Sequence, residues 1–317
     1  VNAILLDSGG DEVEPRTVVP RRVRLSRAAV DRFAELTGVP SPAEQMVAAD
    51  PSLDGLGARL GEPARGSEPV GATAAGASDL DEVLVASGLV DAGVPTAQGR
   101  AVLTVWHAPA LAVELELLVS LARGRVRARS WHRNLDDWVV CLSTGDGEVF
   151  ELSWLAADDW WLELGRAAHV DTRTLRPAPG AGPVPDVIET PWELLLATGE
   201  AVQRRRHELL DPMVSDHSGM TIAGDRLDSL ETADDVDVRR WHEQLESTSR
   251  GRLHAAVMGR SGRGRPGAGI VEWVLFPDGW RSLTPFTRDG WTMVRIERMG
   301  AVDLPRALAV LAAEVTS

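Results

Sequence analysis

The sequence predicts an α+β fold: a central antiparallel sheet in two quasi-symmetric halves, flanked by helices. Three observations carry this expectation. Residues 111–121 alternate strictly, with Leu111, Val113, Leu115, Leu117, Val119 and Leu121 on one side and Glu114, Glu116 and Ser120 on the other, as a half-buried strand requires. Strands near 125–131, 138–143 and 148–154 follow, the last two joined by Gly145-Asp146-Gly147, and a helix spans about 156–169. The C-terminal third repeats this plan. Strands near 253–258, 270–276, 280–286 and 291–298 share an Asp278-Gly279 turn and Trp at strand ends. They lead into a helix capped by Asp303, with Leu304, Leu308, Leu311 and Val315 on one stripe. Two such halves could pair edge to edge; meanders followed by helices also arise without duplication, and the sequence leaves both origins open.

The remaining elements fall in order around these strands. Residues 1–22 form an acidic N-terminal tail, and 23–175 form the first half. Val23 and Leu25 suggest a short strand, and Ser26 caps a helix carrying Val30, Phe33 and Leu36 on one face, ended by Gly38 and Pro40. Residues 41–78, rich in Pro, Gly, Ala and Ser, bury too little apolar surface to offset their ordering entropy and read as a flexible loop. Helices over about 80–87 and 96–107 make a small helical unit. A Pro/Gly-rich stretch, 176–185, opens the second half, 176–317, which is expected to share one sheet with the first. There Thr190-Pro191 opens a helix to about Leu210, residues 211–237 are polar and turn-rich, and a helix follows around 238–246.

Composition narrows the function classes. The chain has 317 residues, enough for two ordinary domains or one large one, with 44% hydrophobic and 25% charged residues as in soluble globular proteins. Its net charge of -14 counts against a general nucleic-acid or lipid-surface role, which would need a concentrated basic patch working against the overall field. All 33 basic residues are Arg and Tyr is absent, a usage that reflects a GC-rich genome. The single cysteine, Cys141, fits a reducing compartment and, within an apolar strand, a buried and inert thiol. The N-terminus lacks the positive charge of a secretory signal, and no run of 18 apolar residues occurs, so the expected location is cytoplasmic, without membrane insertion.

No catalytic constellation emerges, and neither a cofactor nor a metal is expected. Gly262-Arg263-Gly264-Arg265-Pro266-Gly267 matches the dinucleotide-binding glycines in letters, but a strand follows where that fingerprint needs a helix. The same letters resemble the core of an AT-hook, with Arg250, Arg252 and Arg260 nearby; chance in a glycine- and arginine-rich loop is the plainer account. The seven histidines, His107, His132, His169, His207, His217, His242 and His254, show no i, i+4 pair for a metal. Asp216-His217-Ser218, even with Ser261, lacks a nucleophile elbow. Asp158-Asp159 and Asp234-Asp235 sit near helix starts, where the dipole accounts for them.

Surface recognition is better supported than catalysis. Eleven Trp against four Phe is unusual, and Trp131, Trp138, Trp154, Trp273, Trp280 and Trp291 fall in or beside strands. Some must be core, and any on an exposed sheet face would anchor a partner. Arg125, Arg127 and Arg129 share one strand face with Trp131 in line, a partner surface or simply a solvated one. The candidate partner-binding residues are therefore Arg127, Arg129, Trp131, Arg263, Arg265, Trp273 and Trp280, on exposed strand faces and the loop 261–269. The helical unit followed by a hairpin also imitates a winged helix, although its second helix, TAQGRAVLTVWHA, is poor in the basic residues of a recognition helix.

Together these segments resemble the EspG family, cytosolic chaperones of the ESX (type VII) secretion systems of actinobacteria. The resemblance covers most of the chain. It rests on VRLSRAAVDRFAELTGV, on DLDEVLVASGLVDAGVPTAQGRAVLTVWHAP before the first sheet strand, and on TPWELLLATGEAVQRRRHELL. The C-terminal block that starts at Gly269, GIVEWVLFPDGWRSLTPFTRDGWTMVRIERMGAVDLPRALAVLAAEV, carries the family's W-x-x-x-x-P run at Trp280 to Pro285. Departures from the family pattern are the insertion at 41–78, the Trp content and the acidic stretch at 225–237.

That resemblance implies a non-enzymatic protein with no cofactor. It implies a helical client, a PE-PPE-like heterodimer whose hydrophobic tip is kept soluble for export. Apart from the resemblance, monomer and homodimer are both open for the chain itself. It carries no site motif over, so the candidate residues above come from strand faces and the loop alone. A stable interface would cover roughly 800 Å² of this chain. The alternatives are a winged-helix-like DNA-binding regulator and a diverged EspG-like protein with another protein client.

Overall fold

The computed structural model describes residues 21–43, 77–178, 182–260 and 264–317. Most of the acidic tail and of the segment 41–78 therefore lies outside the described residues. The first half runs β1 (Arg21–Ser26), α1 (Arg27–Glu35), α2 (Ala77–Ala86), a small hairpin of β2 (Val90–Asp91) and β3 (Val94–Pro95), and α3 (Ala97–His107). It continues with β4 (Leu111–Leu121), β5 (Gly124–Leu135), β6 (Trp138–Thr144), β7 (Val149–Ala156) and α4 (Ala157–Ala167). The second half runs β8 (Val187–Pro191), α5 (Trp192–Gln203), α6 (Leu210–Ser215), β9 (Ile222–Gly224), β10 (Glu231–Thr232) and α7 (Asp235–Thr248). Its meander is β11 (Gly251–Arg260), β12 (Pro266–Phe276), β13 (Gly279–Arg288) and β14 (Trp291–Met299), closed by α8 (Asp303–Thr316).

Except for the β2–β3 hairpin, the described strands form one twelve-stranded sheet in the order β1-β7-β6-β5-β4-β11-β12-β13-β14-β8-β9-β10. The order reads alike from its centre outward. In each half the first meander strand lies at the middle, and the strand that precedes the helices pairs antiparallel with the last, β1 on β7 and β8 on β14. The halves meet where β4 and β11 pair antiparallel, with Leu115 opposite Ala255. This is the α+β architecture with two quasi-symmetric halves that the alternation predicts.

Local chemistry sets the helix starts. Ser26 Oγ accepts from the Ala29 N–H at 3.2 Å, Thr96 Oγ1 from Gly99 at 3.0 Å, and Asp234 Oδ1 from Asp237 at 2.8 Å. One expectation holds and one fails beside α5. Pro191 ends β8 and stands at the N-cap of the helix, which opens at Trp192 as expected, but the helix stops at Gln203 well short of Leu210. Arg205 takes a left-handed φ of 57° and the Arg206 N–H returns to Ala201 O at 2.8 Å, a C-terminal closure without glycine. Asp303 also differs from its expected role. It lies inside α8, and its Oδ2 accepts from Gly300 N–H at 2.8 Å.

Three helical groups cover the sheet. On one face α4 and α8 lie over the middle, burying Leu111, Val113 and Leu115 of β4, Leu253, Ala255 and Val257 of β11, and Trp273 and Trp280. On the other face α1, α2 and α3 cover the first half's outer strands, with Leu25, Val140, Leu142 and Trp154. There α5, α6 and α7 cover the second half's outer strands, with Ile188, Phe276, Val294 and Ile296 against Trp241 and Leu245 of α7. Strand glycines let α8 approach closely: a Cβ at Gly267 would lie 3.0 Å from the Val315 carbonyl oxygen, and one at Gly269 would lie 2.9 Å from Leu311 Cδ2.

Candidate protein-binding site

Between the two helical groups on the second face, the middle of the sheet carries no helix among the described residues. The ladder places residues there in rows across β5, β4, β11 and β12. One row is Arg127, Leu118, Arg252 and Val274; the next is Arg129, Glu116, His254 and Glu272; the third is Trp131, Glu114, Ala256 and Ile270; the fourth is Arg133, Ala112, Met258 and Ala268. Alternation fixes this outcome, because the opposite parity on the same strands supplies the core beneath α4 and α8. Ile270 is 61% exposed and Leu118 40%, large apolar side chains that the fold leaves in solvent.

The charged rows are internally paired. Glu116 Oε1 accepts from Arg127 Nε and, at 3.5 Å, from Arg129 Nε. Glu114 takes Arg133 at 2.8 Å, and the Arg133 guanidinium lies 5.2 Å from the Trp106 ring centre. Glu272 takes Arg252 Nε at 3.0 Å on one oxygen and His254 Nδ1 on the other. Burial would raise the Glu272 carboxyl, but the His254 hydrogen bond and the Arg252 charge outweigh it and hold it below its ordinary range. The result is a platform with an apolar end at Ala256, Met258, Ala268 and Ile270, and an arginine-rich end at Arg125, Arg127 and Arg129.

The sequence candidates separate in space. Arg127 and Arg129 lie on the open strip. Trp131 faces the same way but is 7% exposed within the core under the helical unit. Trp273 and Trp280 point to the opposite face and are buried beneath α4 and α8, where Trp280 Nε1 donates to Ala168 O at 2.7 Å; burial removes both as partner contacts. Arg265 lies just before β12, while Arg263 falls outside the described residues. Arg250 serves the chain's own backbone, donating to Arg176 O at 2.8 Å and Pro177 O at 2.9 Å and so fastening the segment between the halves. Sequence reading missed Arg252, His254, Ala256, Met258 and Ile270. The alternation of β11 against Leu253, Ala255 and Val257 was the available signal.

The other motifs resolve into structure. Within Asp216-His217-Ser218, His217 bonds Met213 O at 2.9 Å and Glu193 Oε1 at 2.8 Å. Burial opposes its protonation, yet those partners raise its pKa, and Ser261 lies outside the described residues. Cys141 is buried, which pushes its thiol up to about 12. The supposed wing, β4–β5, is the centre of the large sheet, and α3 buries Ala101, Val102, Leu103, Val105 and Trp106, so the winged-helix likeness does not survive. An open groove of about 620 Å³ near Asp186, Asp225 and Glu297 is edged by ion pairs, Arg298 to Asp186 at 3.2 Å and Arg226 to Asp228 at 3.1 Å. Among the described residues no group of three potential ligands could hold a metal, and no helix is long and apolar enough to cross a membrane.

No family model matches the chain, and no curated protein matches it in sequence. Among solved structures, it is similar to the Mycobacterium tuberculosis type VII secretion system chaperone EspG5, solved in complex with the PE25-PPE41 dimer. The superposition has a TM-score of 0.56 at 12% identity and covers 93% of this chain and 97% of that one. The fold is EspG-like along nearly the whole length.

Proposed function

We propose that this chain is a cytosolic chaperone or adaptor of a type VII secretion system that binds a helical, PE-PPE-like heterodimer and keeps its apolar end soluble for export. The observation that carries the reading is the open strip: a sheet centre with exposed Ile270 and Leu118, between two helical walls, in a fold similar over 93% of the chain to that of a chaperone solved with a PE25-PPE41 dimer. Large exposed apolar groups on a rigid sheet are what a partner buries. Binding of this kind needs no catalysis and no cofactor.

Co-expression with the helical proteins encoded beside its gene, followed by affinity capture and size-exclusion chromatography with light scattering, tests the reading. A 1:1:1 complex is expected. Ile270→Asp, which places a charge on the apolar end, is expected to remove the complex while the protein stays folded. A folded chain that binds none of those proteins overturns the proposal.

A further inference from the structure

The loop that joins α6 to β9 is held down through one imidazole. His217 follows the end of α6, and its Nδ1 lies 2.9 Å from the Met213 carbonyl oxygen, among the last carbonyls of the helix, which have no intrahelical N–H to accept. Its Nε2 lies 2.8 Å from Glu193 Oε1 in the first turn of α5. A carbonyl and a carboxylate can only accept, whereas a neutral imidazole has one N–H to give. Only the imidazolium satisfies both, and the negative end of α6 favours it further. The ring also meets the edge of the Trp291 indole, with centroids 6.4 Å apart and planes at 74°. Beyond His217 the loop is tied to the sheet by Arg288 Nη2, which donates to Met220 O at 2.7 Å, and by Thr221 Oγ1, 2.9 Å from Thr190 Oγ1. It then becomes β9, which with β10 forms the outer edge of the sheet beyond β8.

We propose that His217 is a proton-sensitive clasp: as the imidazolium it fastens the α6–β9 loop to α5 and to the Trp291 corner, and on losing its proton it lets that loop and the β9–β10 edge open. Opening would leave β8 with an unpaired edge. The clasp does not depend on what binds the open strip. Burial opposes protonation of His217, but its bonds to Glu193 and Met213 and the charges of Glu193 and Asp216 outweigh burial and raise its pKa above the ordinary 6.5. The clasp is therefore complete below pH 6.5 and is lost as pH rises through the raised value. On α7, burial lowers His242 to about 4, so it stays neutral across that range, and Arg288 shares Glu189 with Arg295. Glu193 is largely exposed, so solvent screens the pair and keeps the clasp weak enough to open.

The test is amide hydrogen exchange of the whole chain at pH 6 and pH 9, corrected for intrinsic exchange rates, together with the ¹⁵N shifts of the His217 ring. Protection over 216–224 is expected to fall about two- to fivefold from pH 6 to pH 9, while Leu253 and Ala255 in β11 do not change. His217→Gln should remove the pH dependence, and Glu193→Gln should move its midpoint to lower pH. Both ring nitrogens of the parent should carry protons at pH 6. A neutral ring at pH 6, protection over 216–224 that ignores pH, or a His217→Gln chain that keeps the parent's pH dependence overturns the clasp. The ring shifts are read on the parent chain, so they decide the matter even where a variant folds poorly.

Discussion

Trp131 in the first half and Trp273 in the second occupy matching places in the sequence, each followed seven residues later by another Trp, and each pair lies 142 positions from its counterpart. In the sheet they face opposite ways: Trp131 packs under the helical unit of α1 to α3, and Trp273 packs beneath α4 and α8. The cause is a turn. Two residues separate the closing pair Leu121 and Gly124 of β4–β5, whereas five separate Arg260 and Pro266 of β11–β12. Counted from Val113 and Ala255, which face alike, a difference of three residues inverts every side chain beyond the turn. The halves share topology while their aromatic residues serve different cores.

The comparison can be broken most forcefully at Trp273. It is 1% exposed, and Trp273→Ala should cost about 3–5 kcal/mol in urea unfolding, more than Trp131→Ala at the margin of the open strip. Equal losses would mean that the two rings are equivalent after all.

Next in size is an acid-dependent loss, to which each half contributes one buried histidine. Trp160 Nε1 donates to His132 Nδ1 at 3.1 Å in the first half, and Thr198 and Thr190 bracket His242 at 2.8 and 3.3 Å in the second. Burial lowers His132 to about 3 and His242 to about 4. Between pH 6.5 and those values the unfolded chain binds protons that the folded chain does not, so stability falls as pH falls. For His242 the loss approaches about 1.4 kcal/mol per pH unit within that window. Urea midpoints at pH 7, 5.5 and 4.5 should show a shallower slope for His242→Asn by close to one proton; an unchanged slope would contradict a buried neutral imidazole.

Smaller still is the hydrogen bond that ties the second meander to the first half's helix. Trp280→Phe keeps most of the ring but leaves Ala168 O without its donor, and should cost about 1 kcal/mol in the same assay. The smallest effect belongs to the surface. Ile270→Asp should change stability by no more than about 0.5 kcal/mol, because Ile270 is already in solvent, whatever it does to binding.

Strand positions were legible because one face of each is buried, and alternation such as Leu111 to Leu121 leaves little freedom. The helix caps at Ser26 and Thr96 were legible for the same local reason. Which face a tryptophan occupies was not, since it depends on turn length and on what covers each side. The end of α5 was hidden too, because its left-handed residue is Arg205 and no glycine marks it. Of the site, Arg127 and Arg129 could be read from one strand, but their neighbours on β11 come from a strand more than a hundred residues later, and only the β4–β11 pairing brings them together.

That pairing also determines how the molecule comes apart. The cluster beneath α4 and α8 draws Val113, Leu155 and Leu164 from one half and Leu253, Val271 and Leu308 from the other. Separating the halves would open β4 and β11 as raw edges and divide a single core, so neither half has a melting transition of its own to offer. Calorimetry should record one endotherm, with equal calorimetric and van't Hoff enthalpies.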